Sequence, residues 1–173
     1  MEIKIRLAKP NDLDKYTDLL QRTYQHAYTD ESIGLISDCF SKEIFATDNT
    51  QEYLKSNLIQ NHKQKAWLAF VGKRLIGSIT IINQEEKCQL RGFYVDPTYQ
   101  GRGIGKRLWQ KAINFSKDKD IILDTYAHNT KTIDIYKKLG FKIDKEKGVF
   151  FRNWPEWPKD LQAKCIYMRY TAE

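Results

Sequence analysis

The stretch Tyr99-Gln100-Gly101-Arg102-Gly103-Ile104-Gly105-Lys106 constrains this chain more than any other part of it. It follows an apolar run, Cys88–Val95, that Asp96-Pro97 stops, and it opens Ile104–Phe115, a predicted helix with Ile104, Leu108, Ala112 and Phe115 along one side. Strand, glycine loop and helix in that order belong to an α/β chain. Glycines let the backbone approach a ligand closely and point consecutive N–H groups at one spot. The helix N-terminus adds about half a positive charge, so the loop is a candidate cradle for a pyrophosphate. Arg102, Lys106 and Arg107 can add charge around it.

Two familiar phosphate-binding patterns fail on identifiable residues. A P-loop, G-x-x-x-x-G-K-S/T, would need glycine where Gln100 stands and a hydroxyl where Arg107 stands. A dinucleotide fingerprint, G-x-G-x-x-G, would need glycine at Lys106 and a loop directly after its strand, yet Asp96–Gln100 intervene. Asp124 does lie about 20 residues on, where a ribose-binding acid belongs. The chain is too short after residue 100 for a second mononucleotide half.

The rest of the chain supplies the frame. Ile3–Leu7 alternates like a half-buried strand, and Asn11 or Asp12 can cap the helix whose face is Leu13, Tyr16, Leu20 and Tyr24. A second helix is predicted over about 31–45, with Leu35, Ile36, Cys39 and Phe40 apolar, and a third over about 50–60, with Tyr53, Leu54, Leu58 and Ile59. Ala66–Val71 and Leu75–Ile82 read as strands joined by Gly72-Lys73-Arg74. Ile121–Tyr126 is apolar enough to be a central strand, and Asn129–Leu139 is a helix ended by Gly140. Phe141–Lys147 and Gln162–Tyr170 are the last strands, either side of the aromatic loop Asn153–Pro158. The expected order is βααα-βββαβαββ, an α/β fold with a mixed sheet of about 6–7 strands.

Composition bounds the function classes. The 173 residues suit one domain, and 22 aromatics argue against disorder. No apolar run spans a bilayer and no secretory h-region opens the chain, while the three cysteines lack C-x-x-C spacing; the expectation is a reduced, cytoplasmic protein without a membrane partner. The net charge of +7 is polarised: residues 11–60 carry four basic and nine acidic side chains, and residues 101–120 carry six and two. A basic half of that size fits a phosphorylated cofactor at least as well as a duplex, and its charges gather at the glycine loop, so no nucleic-acid partner is expected.

Gln100-x-x-Gly103-x-Gly105 resembles the R/Q-x-x-G-x-G/A loop with which the GNAT superfamily of N-acetyltransferases binds the pyrophosphate of acetyl-CoA. Phe93-Tyr94-Val95-Asp96-Pro97 is similar to that family's fourth strand, and Asn129 with Tyr136-Lys137-Lys138-Leu139-Gly140-Phe141 resembles its Asn/Tyr element. The resemblance is strong over about residues 66–145. It implies a single N-acetyltransferase domain over 1–173, acetyl-CoA as cosubstrate, direct transfer to a primary amine without a metal, and a homodimer at family level.

On that resemblance, main-chain N–H groups of Phe93 and Val95, with Tyr94 between them, face the acetyl group and pantetheine. Gln100, Gly101, Arg102, Gly103, Ile104, Gly105 and Lys106 hold the pyrophosphate, Asn129 bonds the pantetheine arm, and Tyr136 is the general acid. Some members carry a glutamate base early in the fourth strand; here Gln89 stands there and takes no proton, leaving Asp124, His128 or water. The acceptor side is expected from Tyr24, Tyr28, Asp30, Glu31 and Tyr53, with Trp154, Glu156 and Trp157. Acidic and aromatic groups together suit an organic cation, and the opening with Tyr24 and Tyr28 is similar to that of bacterial spermidine acetyltransferases. Protein N-termini, lysines and aminoglycosides stay open as acceptors, as does a non-catalytic acyl-CoA-binding regulator.

Overall fold

The computed structural model describes residues 2–172. The elements are β1 (Lys4–Leu7), α1 (Leu13–Tyr28), α2 (Lys42–Phe45), α3 (Asp48–Asn57), β2 (Gln64–Val71), β3 (Arg74–Asn83), β4 (Lys87–Val95), α4 (Ile104–Ser116), β5 (Asp120–Tyr126), α5 (Thr130–Lys138), β6 (Lys142–Ile143), β7 (Val149–Arg152) and β8 (Ala163–Tyr170). All eight strands share one sheet, ordered β1-β2-β3-β4-β5-β8-β6 with β7 also against β8. Only β4 and β5 run parallel, the pair joined through α4. The apolar stripe of α1 (Tyr16, Leu19, Leu20, Tyr24) packs with α3 on one face of the sheet. Ile104, Leu108 and Ala112 of α4 and Ile133 of α5 fill the other.

Two expectations need correction. The predicted helix over 31–45 is broken. Asp30 turns its carboxylate onto the Ser32 N–H, Gly34 sits at φ +82°, and only Lys42–Phe45, capped by Ser41, is α-helical. Short polar side chains bonding their own backbone compete with the helix there. Leu35, Cys39 and Phe40 are buried as expected, but Ile36 is exposed. The sheet has eight strands rather than six or seven, because the segment after Gly140 divides into β6 and β7 along one edge of β8.

The element that positions the site is β4. Its register against β3 pairs Thr80 with Gly92 and Ile81 with Leu90, so Arg91 is an extra residue, a β-bulge. The bulge shifts the side-chain alternation by one. Cys88 and Leu90 before it, and Phe93 and Val95 after it, all pack toward α4. Gln89, Arg91 and Tyr94 turn to the opposite face. The pairing of β4 with β5 covers only Lys87–Gln89 against Asp120–Ile122. Beyond it β5 stays with β8 as far as Tyr126, and β4 stays with β3, so the sheet splits.

Candidate active site

The split leaves backbone groups of β4 without a strand partner, and the alternation says which. The Asp96 N–H bonds the Ile76 carbonyl at 2.9 Å, toward β3. Amide direction alternates along a strand, so Tyr94 N–H also faces β3 while Val95 and Phe93 N–H face the split. A cleft of about 300 Å³ lies there, lined by Phe93, Tyr94, Val95, Gln100, Gly101, Gly103, Ile104 and Gly105, and closed on the α5 side by Thr132, Ile135 and Tyr136. Gly103 is the N-cap of α4 at φ +75° with no side-chain cap, and a Cβ on it would meet nothing within 4 Å. The first amides of α4 therefore remain open to an anion. These unpaired donors and the uncapped helix fit a long thioester with a pyrophosphate.

Asp96 fixes where this loop begins. Its buried carboxylate accepts from Thr98 Oγ1 at 2.7 Å and Thr98 N–H at 3.0 Å, and from Arg22 and Arg74, each at 3.0 Å. Burial pushes this carboxyl up, but the Thr98 donors and the two arginines outweigh it and hold it below the usual carboxylate range.

Three residues expected at the cofactor do not line this cleft. Arg102 lies over the Tyr99 ring at 5.3 Å, Lys106 points to solvent, and neither lines the cleft. Asn129 caps α5 through the Thr132 N–H and leaves its buried Nδ2 without a partner, beside the cleft rather than on it. Gln100 donates to the Val95 carbonyl at 3.2 Å. Tyr136 is where the sequence put it, on the cleft wall 6.4 Å from the Phe93 ring. Burial, with the charge of Asp124 added, raises its phenol above the ordinary value, so it stays protonated.

A larger cavity of about 600 Å³ adjoins the cleft, and Tyr28 and Tyr94 line both. Its walls include Tyr24, Tyr53, Gln89, Arg91, Asp124, Tyr126, Arg152, Trp154 and Glu156. Tyr24 and Tyr94 share a hydroxyl–hydroxyl bond of 2.8 Å, and burial drives both phenols well up. Asp124 is bound to Arg152 at 2.5 Å. Burial would lower that guanidinium, but Asp124 outweighs it and keeps Arg152 charged. Glu156 Oε1 accepts from Thr47 at 2.9 Å, Asn49 at 3.3 Å and Thr50 at 3.5 Å. Asp30, Glu31 and Trp157 do not line this cavity; Trp157 is core, stacked on Trp154 and donating to the Cys39 carbonyl. His128 also stays outside, its Nε2 2.9 Å from the Tyr28 carbonyl.

Among known proteins, the family described as acetyltransferase (GNAT) matches residues 14–141. The chain belongs to this family. It is an N-acetyltransferase that draws on acetyl-CoA. A spermidine N(1)-acetyltransferase of Thermoplasma acidophilum is 26% identical over 157 residues, covering 87% of this chain and 95% of that one. A probable N-acetyltransferase of Mycobacterium tuberculosis is 27% identical and covers 82% of this chain and 81% of its own. The fold is shared with the PaiA N-acetyltransferase of Thermoplasma acidophilum, crystallised with coenzyme A, at TM-score 0.66 and 22% identity over 99% of both chains. It is shared too with the ribosomal-protein-S18-alanine N-acetyltransferase of Escherichia coli, at TM-score 0.68 and 18% identity over 99% of this chain and 95% of that one.

Sequence reasoning missed two arginines of this acetyltransferase, Arg91 and Arg152, and the Thr47, Asn49 and Thr50 donors around Glu156. For Arg91 a signal existed. Apolar residues at 88, 90, 93 and 95 skip a step at Arg91-Gly92, and a glycine inside a strand marks a bulge. Arg152 carried no signal, because β7 was not foreseen. Among the described residues no group of three His, Cys, Asp or Glu side chains can hold a metal ion, and no helix is long and apolar enough to cross a membrane.

Proposed function

We propose that this acetyltransferase moves the acetyl group of acetyl-CoA directly onto a small primary amine held in the larger cavity. The observation that carries the reading is the split between β4 and β5: it opens a cleft with Tyr136 on its wall, and that cleft meets the cavity at Tyr28 and Tyr94. Acetyl-CoA supplies the activated acyl group when bound. The chain supplies the rest. Phe93 and Val95 N–H groups donate toward the cleft and offset charge gathering on a carbonyl oxygen. The open first turn of α4, with Gly101, Gly103 and Gly105, receives the pyrophosphate. As the new C–N bond forms and the C–S bond breaks, Tyr136 gives its proton to the departing sulfur.

On the acceptor side, Glu156 and the rings of Tyr24, Tyr53 and Trp154 receive the ammonium. Gln89 takes no proton, and Asp124 is engaged with Arg152, so the surplus amine proton leaves by way of Glu156 or solvent. A polyamine acceptor is supported by the name of the Thermoplasma relative and by Glu156 among aromatic rings. Arg91 and Arg152 on the same walls favour a second kind of amine, developed below. The homodimer implied by the family and the cytoplasmic location expected from composition belong to this same proposal.

The test is thiol release from acetyl-CoA with spermidine, spermine, ω-amino acids, lysine peptides and aminoglycosides offered separately, beside Tyr136→Phe. Release with a small amine that collapses in the variant is the expected result. Release with lysine peptides alone, or none with any amine from a protein that acetyl-CoA still stabilises, would overturn the small-amine reading.

A further inference from the structure

The larger cavity carries charge of both signs, and its two decisive groups lack ionic partners among the described residues. Arg91 reaches it from the bulge of β4, its guanidinium 5.3 Å from the Tyr53 ring centre and bonded to Ser56 Oγ at 2.9 Å. Glu156 reaches it from the loop after β7 and is met by hydroxyl and amide donors alone. Asp124 and Arg152 on the same walls already satisfy each other. Tyr126 adds a buried hydroxyl beside Arg152 on the same wall.

A half-buried guanidinium without a carboxylate is an incomplete ion pair. Its planar fork is matched best by an acid group. A diamine offers none. It would bring its second ammonium beside Arg91, and like charges in a partly desolvated cavity are a device for rejecting a ligand. We infer that the preferred acceptor is a primary amine that also carries an anionic group, a carboxylate in the simplest case, which Arg91 binds while Glu156 receives the ammonium. The inference rests on the larger cavity being the acceptor site, and it makes Arg91 a specificity-determining residue. The bulge is what lends it that role, because it keeps Gln89, Arg91 and Tyr94 on one face and hands Phe93 and Val95 to the other.

The experiment offers the whole chain acetyl-CoA with three matched series, ω-amino acids, n-alkylamines and α,ω-diamines, each from two to six carbons. Thiol release gives kcat/KM for each compound. At the best length the amino acid should exceed the alkylamine of equal length by about tenfold or more, as a charge-assisted pair allows. Arg91→Met should bring that ratio close to one, and Arg91→Lys should keep part of it. Since a variant can fail to fold, the wild type gives an independent reading: simple alkyl carboxylates should compete with the alkylamine. Diamines or alkylamines that match the amino acids at every length would overturn the inference, as would a ratio that survives Arg91→Met or carboxylates that do not compete. In those cases acetylation of small amines still stands. Silence with all three series would remove the small-amine reading itself, and the inference with it.

Discussion

The cleft and the larger cavity meet at two tyrosines and are built on opposite plans. One wall of the cleft is a continuous piece of chain, Phe93 to Gly105, with α1 and α5 closing the other sides, and apart from Tyr136 its working groups are main-chain amides and a helix end. The cavity is made of side chains from α1, α3, β4, β5, β7 and the loop after it, spread from Tyr24 to Glu156. A main-chain site needs glycine where the backbone turns through positive φ and is otherwise indifferent to side chains, so its chemistry is set by the fold. A side-chain site changes its ligand with one substitution. The same scaffold can therefore hold one acyl donor and be refitted for different acceptors.

If that contrast is sound, changes in the two regions separate in what they alter. The largest effect belongs to Tyr136→Phe, which should lower kcat by about 100-fold or more with the KM for acetyl-CoA little changed. Since burial and Asp124 raise that phenol, it keeps its proton past the usual tyrosine value of about 10. The wild-type rate should show no alkaline loss from this group below about pH 10.

Next comes Asp96→Ala, which removes the cap on Thr98 and the carboxylate that half-exposed Arg22 and Arg74 share, and should cost about 2 kcal/mol of stability, read by denaturant unfolding. The KM for acetyl-CoA should rise while that for the acceptor holds. Because Asp96 sits below the usual carboxylate range, the stability it adds is complete above about pH 5 and is lost as pH falls through its lowered value. That share of the acid loss should be missing in the variant.

Gly92→Ala tests the join itself. A Cβ there would stand 2.9 Å from the Tyr94 ring, so the ring must turn and the Tyr24–Tyr94 bond must lengthen. About 1–2 kcal/mol of stability should go, with a rise in the KM of the acceptor. The smallest effect sharpens the border: Asp30→Asn with Glu31→Gln should leave the acceptor KM within about twofold, because neither carboxylate reaches the cavity.

The same contrast explains what could be read from sequence. The loop around Gly101 and Gly103, the strand Phe93–Val95 and Tyr136 before Gly140 were legible because a main-chain cradle needs particular residues at fixed spacing. So were the helical face of Tyr16, Leu20 and Tyr24 and the central strand β5. Arg102, Lys106 and Asn129 stand beside the cleft without lining it: charge or amide beside a motif does not say where the side chain points. Asp30 and Glu31 are expected at the acceptor side with the early helices, but Gly34 and the Asp30 turn take them out of the cavity. Glu156 and Trp154 come with the late aromatic loop that the resemblance sets at the acceptor side, whereas Arg152 needed β7, a strand of four residues paired with β8.

The split sheet has one more consequence. Three residue pairs join β4 to β5, so the sheet is two blades fastened at one end, like open shears. Whatever lies between the blades and bonds the Val95 and Phe93 amides takes the place of the strand pairing that is missing there. Occupancy and fold stability are then linked quantities. A hundredfold excess of ligand over its Kd adds about 2.7 kcal/mol to the folded state. The melting temperature of this acetyltransferase is thereby a gauge of binding between the blades, readable without any acceptor present.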